Sequence, residues 1–137
     1  MPAAAPASAP IDWRILFASP AGRAARAPTW IAVASLFTVS VVYEAVAGPT
    51  FKLLTFWFVY PGLLASSACV LSKRLHDRGR SGWWAALVLL ALALVWPEFR
   101  GGWAVLATPV MIWAVVELGL MAGEQGANRF GPPPLAG

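Results

Sequence analysis

Charge is scarce in this sequence. Asp, Glu, Lys and Arg together make up 12% of its 137 residues, about half the share found in soluble domains. A chain so poor in solvated groups cannot cover a globular surface of its own size. Cysteine is nearly absent as well. Cys69 has no partner, so no intrachain disulfide can form, and its place in an apolar stretch marks it as a small packing residue. One histidine and one cysteine fall short of the three or four ligands of a zinc site. Neither a phosphate loop nor a Ser/His/Asp set is evident. No metal and no cofactor is therefore expected. The opening MPAAAPASAP has neither a basic n-region nor an apolar h-region, so it is not a signal peptide. Residues 1–10 are expected to form a disordered, partly polyproline-like tail.

Apolar surface fills the place of the missing charge. Hydrophobic residues reach 59%, the mean hydropathy is +0.68, and there are eight tryptophans. Amphipathic indole rings collect where lipid meets water. The length allows one domain, here 11–137. A net charge of +4 and a pI near 10.0 raise the question of nucleic acid. The basic residues, however, lie in short runs between apolar stretches, the pattern of a positive-inside membrane protein touching anionic lipid. Nucleic acid is rejected as a partner.

Four apolar stretches predict four transmembrane helices in an all-α bundle. They run roughly over 29–47, 51–72, 83–96 and 103–122. An interfacial segment precedes them, with Asp12 capping a short helix that carries Trp13, Leu16 and Phe17. Ser19-Pro20 and Gly22 end it. The first span, about 28 Å long, matches the hydrocarbon thickness. Pro61-Gly62 predicts a kink in the second span, and Ala65 to Ala68 allow a neighbouring helix close. Lys73 to Gly82 reads as a polar loop, with Gly79 at a turn and Ser81 as a cap. The third span, about 21 Å, is short for a crossing. Terminal tryptophans suggest that it still reaches both interfaces; a re-entrant hairpin of spans three and four is the alternative. Pro97 to Gly102 is expected to be a tight turn, and the Gly/Pro-rich tail after residue 122 a cap rather than a helix.

Orientation follows from the cations. Arg14, Arg23, Arg26, Lys73, Arg74, Arg78, Arg80 and Arg129 fall on one side; only Lys52 and Arg100 fall on the other. The richer side is cytoplasmic. An even number of spans then puts both termini there.

The segment Arg74-Leu75-His76-Asp77-Arg78-Gly79-Arg80-Ser81-Gly82-Trp83-Trp84 resembles the central signature of a bacterial inner-membrane family, domain of unknown function 805, typified by the YhaH-like proteins. Phe17, Gly22, Arg23, Arg26 and Trp30 resemble its N-terminal pattern. Gly126, Asn128, Arg129, Phe130, Gly131 and Pro132 resemble its C-terminal pattern. The three pieces stand in the right order along nearly the whole chain. Pro20 and its alanine neighbours depart from a more polar, basic run, and Pro133 stands where the family often has an acid. The resemblance implies a small polytopic protein of the bacterial inner (plasma) membrane and no known reaction.

His76 and Asp77 invite a catalytic reading, since a carboxylate often orients a histidine base. Neighbours on a helix point about 100° apart, however, and do not face one another. The structural alternative pairs Asp77 with Arg74, Arg78 or Arg80, lets His76 donate to a carbonyl, and pins helix ends together. Remaining guanidinium groups would hold lipid phosphates. Glu44 and Glu117 invite an ion relay, but their depths put them at opposite ends of the bundle. Lys52 is the near partner of Glu44; an arginine of the basic loop, or Arg129, is expected on Glu117. Phe130 is expected to insert between helix ends, and Arg129 to pair with Asp77 or Glu117.

The expectation is a non-enzymatic protein acting through one polar cluster of Arg23, Arg26, Arg74, His76, Asp77, Arg78, Arg80, Glu117, Asn128 and Arg129. Its partners would be membrane lipids, anionic ones included, and a membrane protein or a second copy of the chain. The alternatives are an oligomeric transporter or channel subunit with broken helices at Pro61 and Pro109, and a lipid-modifying enzyme using His76 and Asp77.

Overall fold

A computed structural model describes residues 11–96 and 101–134. Among them are five α-helices: α1 (Trp13–Ala18), α2 (Arg26–Val46), α3 (Pro49–Asp77), α4 (Trp84–Val95) and α5 (Gly101–Ala114). The last continues into a π-helical segment, Val115–Leu120. No strand occurs among the described residues; the tail holds one isolated bridge, Asn128 to Gly131. The expected tail 1–10 lies outside the described residues, as do Pro97 to Arg100 of the expected tight turn and the last three residues of the 11–137 domain.

Local chemistry sets the boundaries. The Asp12 carboxylate accepts from the backbone N–H groups of Arg14 and Ile15, at 3.0 and 3.2 Å, and so starts α1. Helix α2 begins about a turn before the expected 29, because Pro28 fits a first helical turn, where no N–H partner is needed. Pro49 opens α3 in the same way behind Gly48. At 29 residues, α3 is about 44 Å long, well beyond the ~30 Å of hydrocarbon in a bilayer. Its last turns therefore project past the apolar run. This corrects the expected loop: Lys73 to Asp77 are helical, and the turn is confined to Arg78–Trp83. The helix also runs through Pro61 without a break.

Helices α2, α3 and α5 with its π extension are long and apolar enough to cross a membrane. Helix α4, at 12 residues and about 18 Å, is shorter than the expected 83–96. The apolar helix expected over 103–122 runs over Gly101–Leu120. Helix α4 packs on α3 and α5, and α2 packs on α3 and the π segment.

The surface is that of a protein in lipid. Val46, Phe58, Trp57 and Leu106 are 78%, 79%, 69% and 67% exposed, and many other large apolar side chains are exposed with them. The interior apolar residues are mostly alanine (Ala24, Ala32, Ala85, Ala91, Ala104, Ala107 and Ala114), small enough for helix backbones to approach closely. Polar residues complete the core at one end. Lys73, Arg74, Asp77 and Glu117 are all buried.

Candidate functional site

That polar end is built around a problem of unpaired carbonyls. The last C=O groups of any helix lack intrahelical partners, and here the final helix ends in a widened π turn. Side chains from elsewhere in the chain meet these carbonyls almost one by one. Leu118 O accepts from Arg74 Nε at 2.7 Å, Gly119 O from Trp30 Nε1 at 3.1 Å, and Leu120 O from Arg26 Nη1 at 3.1 Å. Met121 O accepts from Arg74 Nη2 at 2.6 Å and Ala122 O from Arg78 Nη1. Glu124 O and Gly126 O both accept from Arg23, each at 2.6 Å. Arginine suits the task because one rigid fork presents five donors.

Two carboxylates hold the forks in place. Asp77 accepts from Arg23 Nε at 3.0 Å and pairs with Arg74 on its other side. The side chains of Arg23, Arg74 and Asp77 are at most 3% exposed. Glu117 accepts from Arg80 Nε at 2.9 Å and Arg78 Nη2 at 3.3 Å. Four guanidinium groups thus face two carboxylates, an excess of 4 − 2 = +2. The negative end of the last helix lies against them and offsets that excess.

The sequence placed ten residues in this cluster, and the structure brings them to the same end of the molecule, with the expected Asp77–Arg74 pair and loop arginines on Glu117 but with Arg23 and Arg129 placed otherwise than expected. Asp77 meets Arg23, 54 positions away, and Arg74. Arg78 and Arg80 go to Glu117 instead. Arg129 bonds neither acid: it donates to Gly79 O at 3.3 Å, and its guanidinium lies 4.6 Å from the Phe130 ring centre. Arg26 serves Leu120 O. The Asn128 side chain donates to His76 O and Glu124 Oε2, at 2.9 and 2.8 Å. Phe130 stacks on His76 at 3.8 Å, nearly parallel, and His76 Nδ1 lies 3.1 Å from Gly22 O. His76 sits on the turn of α3 that extends past the apolar run. Burial pushes its pKa below the ordinary value; the Gly22 carbonyl opposes this shift, and Arg129 adds to it.

Sequence reasoning missed several participants. Trp30 is a donor to the final turn as well as an interface residue. Lys73 Nζ ties α1 down through Ile15 O at 2.6 Å. Glu124 donates its N–H to Asp77 O at 2.8 Å. Three glycines allow the fit. A Cβ at Gly123 would lie 1.9 Å from Asp77 Oδ2, one at Gly119 2.5 Å from the Trp30 ring, and one at Gly79 2.3 Å from Glu124 Oε1. Gly79 also has φ +67°, a conformation that glycine adopts readily. The visible signal was the glycine spacing in Leu118-Gly119-Leu120-Met121-Ala122-Gly123, just where an apolar run ends.

A second polar group lies far along α2 and α3. Lys52 Nζ reaches Glu44 Oε2 at 2.6 Å, Tyr60 donates to Glu44 Oε1, and Tyr43 and Thr55 hydroxyls are 2.8 Å apart. These contacts clamp the α2–α3 hairpin. No group of three metal-ligating side chains occurs among the described residues.

Residues 17–132 match the family described as "Protein of unknown function (DUF805)". The chain belongs to that family. Within it, the chain is 34% identical over 123 residues to YiiR of Escherichia coli strain K12, covering 80% of this chain and 82% of that protein, which is described as uncharacterized. It is 36% identical over 62 residues to YhaH of the same strain, named an inner membrane protein, covering 45% of this chain and 37% of YhaH. No solved structure matches. The membership accounts for the resemblance at Arg74 to Trp84. In the structure the arginines of that segment tie the ends of α3 and the last helix together.

Proposed function

We propose that the chain is a non-catalytic, multi-pass protein of the bacterial inner membrane, with both termini and its polar end in the cytoplasm, acting through contacts of that end with anionic lipid headgroups and a membrane-protein partner. The observation that carries this reading is the division of labour among the arginines. Arg23, Arg74 and Arg78 are turned inward onto carbonyls and carboxylates. Arg14 and Arg129 are exposed, and the Arg80 side chain is 42% exposed. The inner set organises the end of the bundle, and the outer set forms a rim at headgroup level. The eight-to-two distribution of Lys and Arg supports the orientation. The flanking Trp83, Trp84 and Trp96 support α4 as a fourth crossing, short enough to thin the bilayer locally.

Neither alternative activity gains an observation. A transporter would use Glu117 as a mobile charge, yet two guanidinium groups hold it. An enzyme using His76 and Asp77 needs them to act on one atom, yet they engage different partners.

The test is lipid selectivity of the purified full chain by native mass spectrometry. Surface arginines contribute about 1 kcal/mol each toward anionic lipid. Arg80→Gln with Arg129→Gln is expected to lower the preference for phosphatidylglycerol over phosphatidylcholine roughly thirtyfold, with helix content unchanged. An unchanged preference contradicts the proposal.

A further inference from the structure

Between the start of α2 and the folded-back tail lies a cavity of about 570 Å³, within the size range of small-molecule sites. Its charged groups are unevenly occupied. Asp77 is held by both Arg23 and Arg74. Glu124 also borders the cavity, but its carboxylate turns to Gly79 and Asn128, which do not line it. The carbonyls of the last helical turn, which would repel an anion, are taken: Gly119 O accepts from Trp30, Leu120 O from Arg26 and Ala122 O from Arg78. What remains open is cationic. Arg26 lines the cavity and uses only Nη1, on Leu120 O at 3.1 Å; its Nε and Nη2 make no hydrogen bond among the described residues. Ala27 lies beside it, and no side chain caps α2. The backbone N–H groups of Arg26 and Ala27 therefore also lack an acceptor among the described residues. Gln125, exposed, stands on the tail side. Trp30, about one turn further along α2 and 45% exposed, flanks the cavity where the apolar run begins.

We infer that this cavity is a phosphate site, filled from the membrane by the headgroup of one anionic phospholipid. Nε and Nη2 form one edge of the planar guanidinium and match two phosphate oxygens. The uncapped N–H groups at the start of α2 add donors of the same sign. With Nη1 fixed on Leu120 O, that edge is ordered before the ligand arrives, and less side-chain freedom is lost on binding. A glycerol headgroup carries no charge besides its phosphate and meets Arg26 unopposed. A choline headgroup brings a cation for which the cavity holds no open carboxylate. Trp30 stands against the glycerol, at the level where indole rings mark the edge of the hydrocarbon. The inference rests on the reading above that the polar end meets anionic headgroups. It adds to the outward rim a single inward site, which uses neither Arg80 nor Arg129.

The experiment titrates the purified full chain in detergent with phosphatidylglycerol, phosphatidylcholine and, separately, inorganic phosphate, counting bound molecules one by one by native mass spectrometry. The unmodified chain is expected to hold its first phosphatidylglycerol about tenfold tighter than its first phosphatidylcholine, and inorganic phosphate far more weakly than the lipid. Arg26→Gln lowers the affinity for that first phosphatidylglycerol about tenfold, the weight of one hydrogen bond to a charged group. The Gln125 side chain makes no hydrogen bond among the described residues, so charge can be changed there without breaking a contact. Gln125→Glu is expected to weaken the first lipid severalfold and Gln125→Lys to tighten it. Arg80→Gln with Arg129→Gln, the rim variant, keeps the first lipid and weakens only later ones. Loss of the first lipid in the rim variant with its retention in Arg26→Gln overturns the cavity site and leaves the rim standing. Every lipid unchanged in the rim variant, beside loss of the first in Arg26→Gln, contradicts the rim and supports the cavity. An Arg26→Gln chain that binds its first phosphatidylglycerol like the unmodified one overturns the inference, and so do indistinguishable Gln125→Glu and Gln125→Lys chains. Inorganic phosphate held as tightly as the lipid also overturns it, since the ligand would then be a soluble anion.

Discussion

At the scale of single residues, Asp77 is the keystone. Its carboxylate holds two buried guanidinium groups, and its backbone oxygen anchors the tail through Glu124 N–H. Asp77→Asn leaves Arg23 and Arg74 buried with too little countercharge, an arrangement that costs roughly 3–5 kcal/mol. Unfolding in mixed detergent micelles should show that loss; a change under about 1 kcal/mol would mean that the carbonyls alone suffice. Gly123→Ala should release the tail, because Asp77 is held from both sides and cannot give way to a Cβ at 1.9 Å. Trypsin cleavage after Arg129 is expected to accelerate severalfold. His76 adds a pH dependence. Its docked pKa lies below its free value, which is near 6.5. The undocked state therefore takes up the proton more readily, so the docking stabilisation is complete above that value and declines as pH falls through the docked one. Unfolding midpoints measured from pH 8 down to pH 5 should fall more steeply for the native chain than for His76→Gln. Parallel curves would remove His76 from the account.

At the scale of elements, the decisive feature is the end of the last helix. Its π turn places successive carbonyls where Arg74, Trp30, Arg26 and Arg78 can reach them. Arg74→Lys keeps the charge but replaces a planar fork by a point donor, which cannot serve Leu118, Met121 and Asp77 together. It should destabilise the chain nearly as much as Arg74→Gln; full rescue by lysine would mean that charge alone matters. Gly119→Ala meets the Trp30 ring at 2.5 Å. Trp30→Phe, which shortens the ring, should recover part of that loss in the double variant. These elements were unequally legible in the sequence. The apolar runs announced α2, α3 and the last helix to within a few residues, because hydrocarbon thickness and composition fix them. The helical state of Lys73 to Asp77 was hidden, since a charged run reads as a loop until its partners are known. Arg74 on Asp77 and a loop arginine on Glu117 were legible, whereas Arg23 on Asp77 was hidden. Arg23, Arg78 and Arg80 are similar in isolation, and only the path of the tail decides which acid each one reaches. The π turn had no local signal, because distant arginines make its open carbonyls tolerable.

At the scale of the molecule, an apolar belt is closed at one end by arginines turned inward, with a thinner rim of arginines facing outward. This division explains how so many cations fit at the end of a small bundle: most serve as helix-end donors and only a few remain for a surface. The topology proposed above rests on the same distribution of cations. The direct measurement is cysteine accessibility in intact cells, on a background with Cys69 replaced by alanine, using a membrane-impermeant maleimide. The account predicts that cysteines at Gly48 and Gly102 label from outside, while a cysteine at Gln125 labels only after the membrane is opened. Labelling of Gln125 in intact cells, or protection of Gly102 together with Gln125, would contradict it.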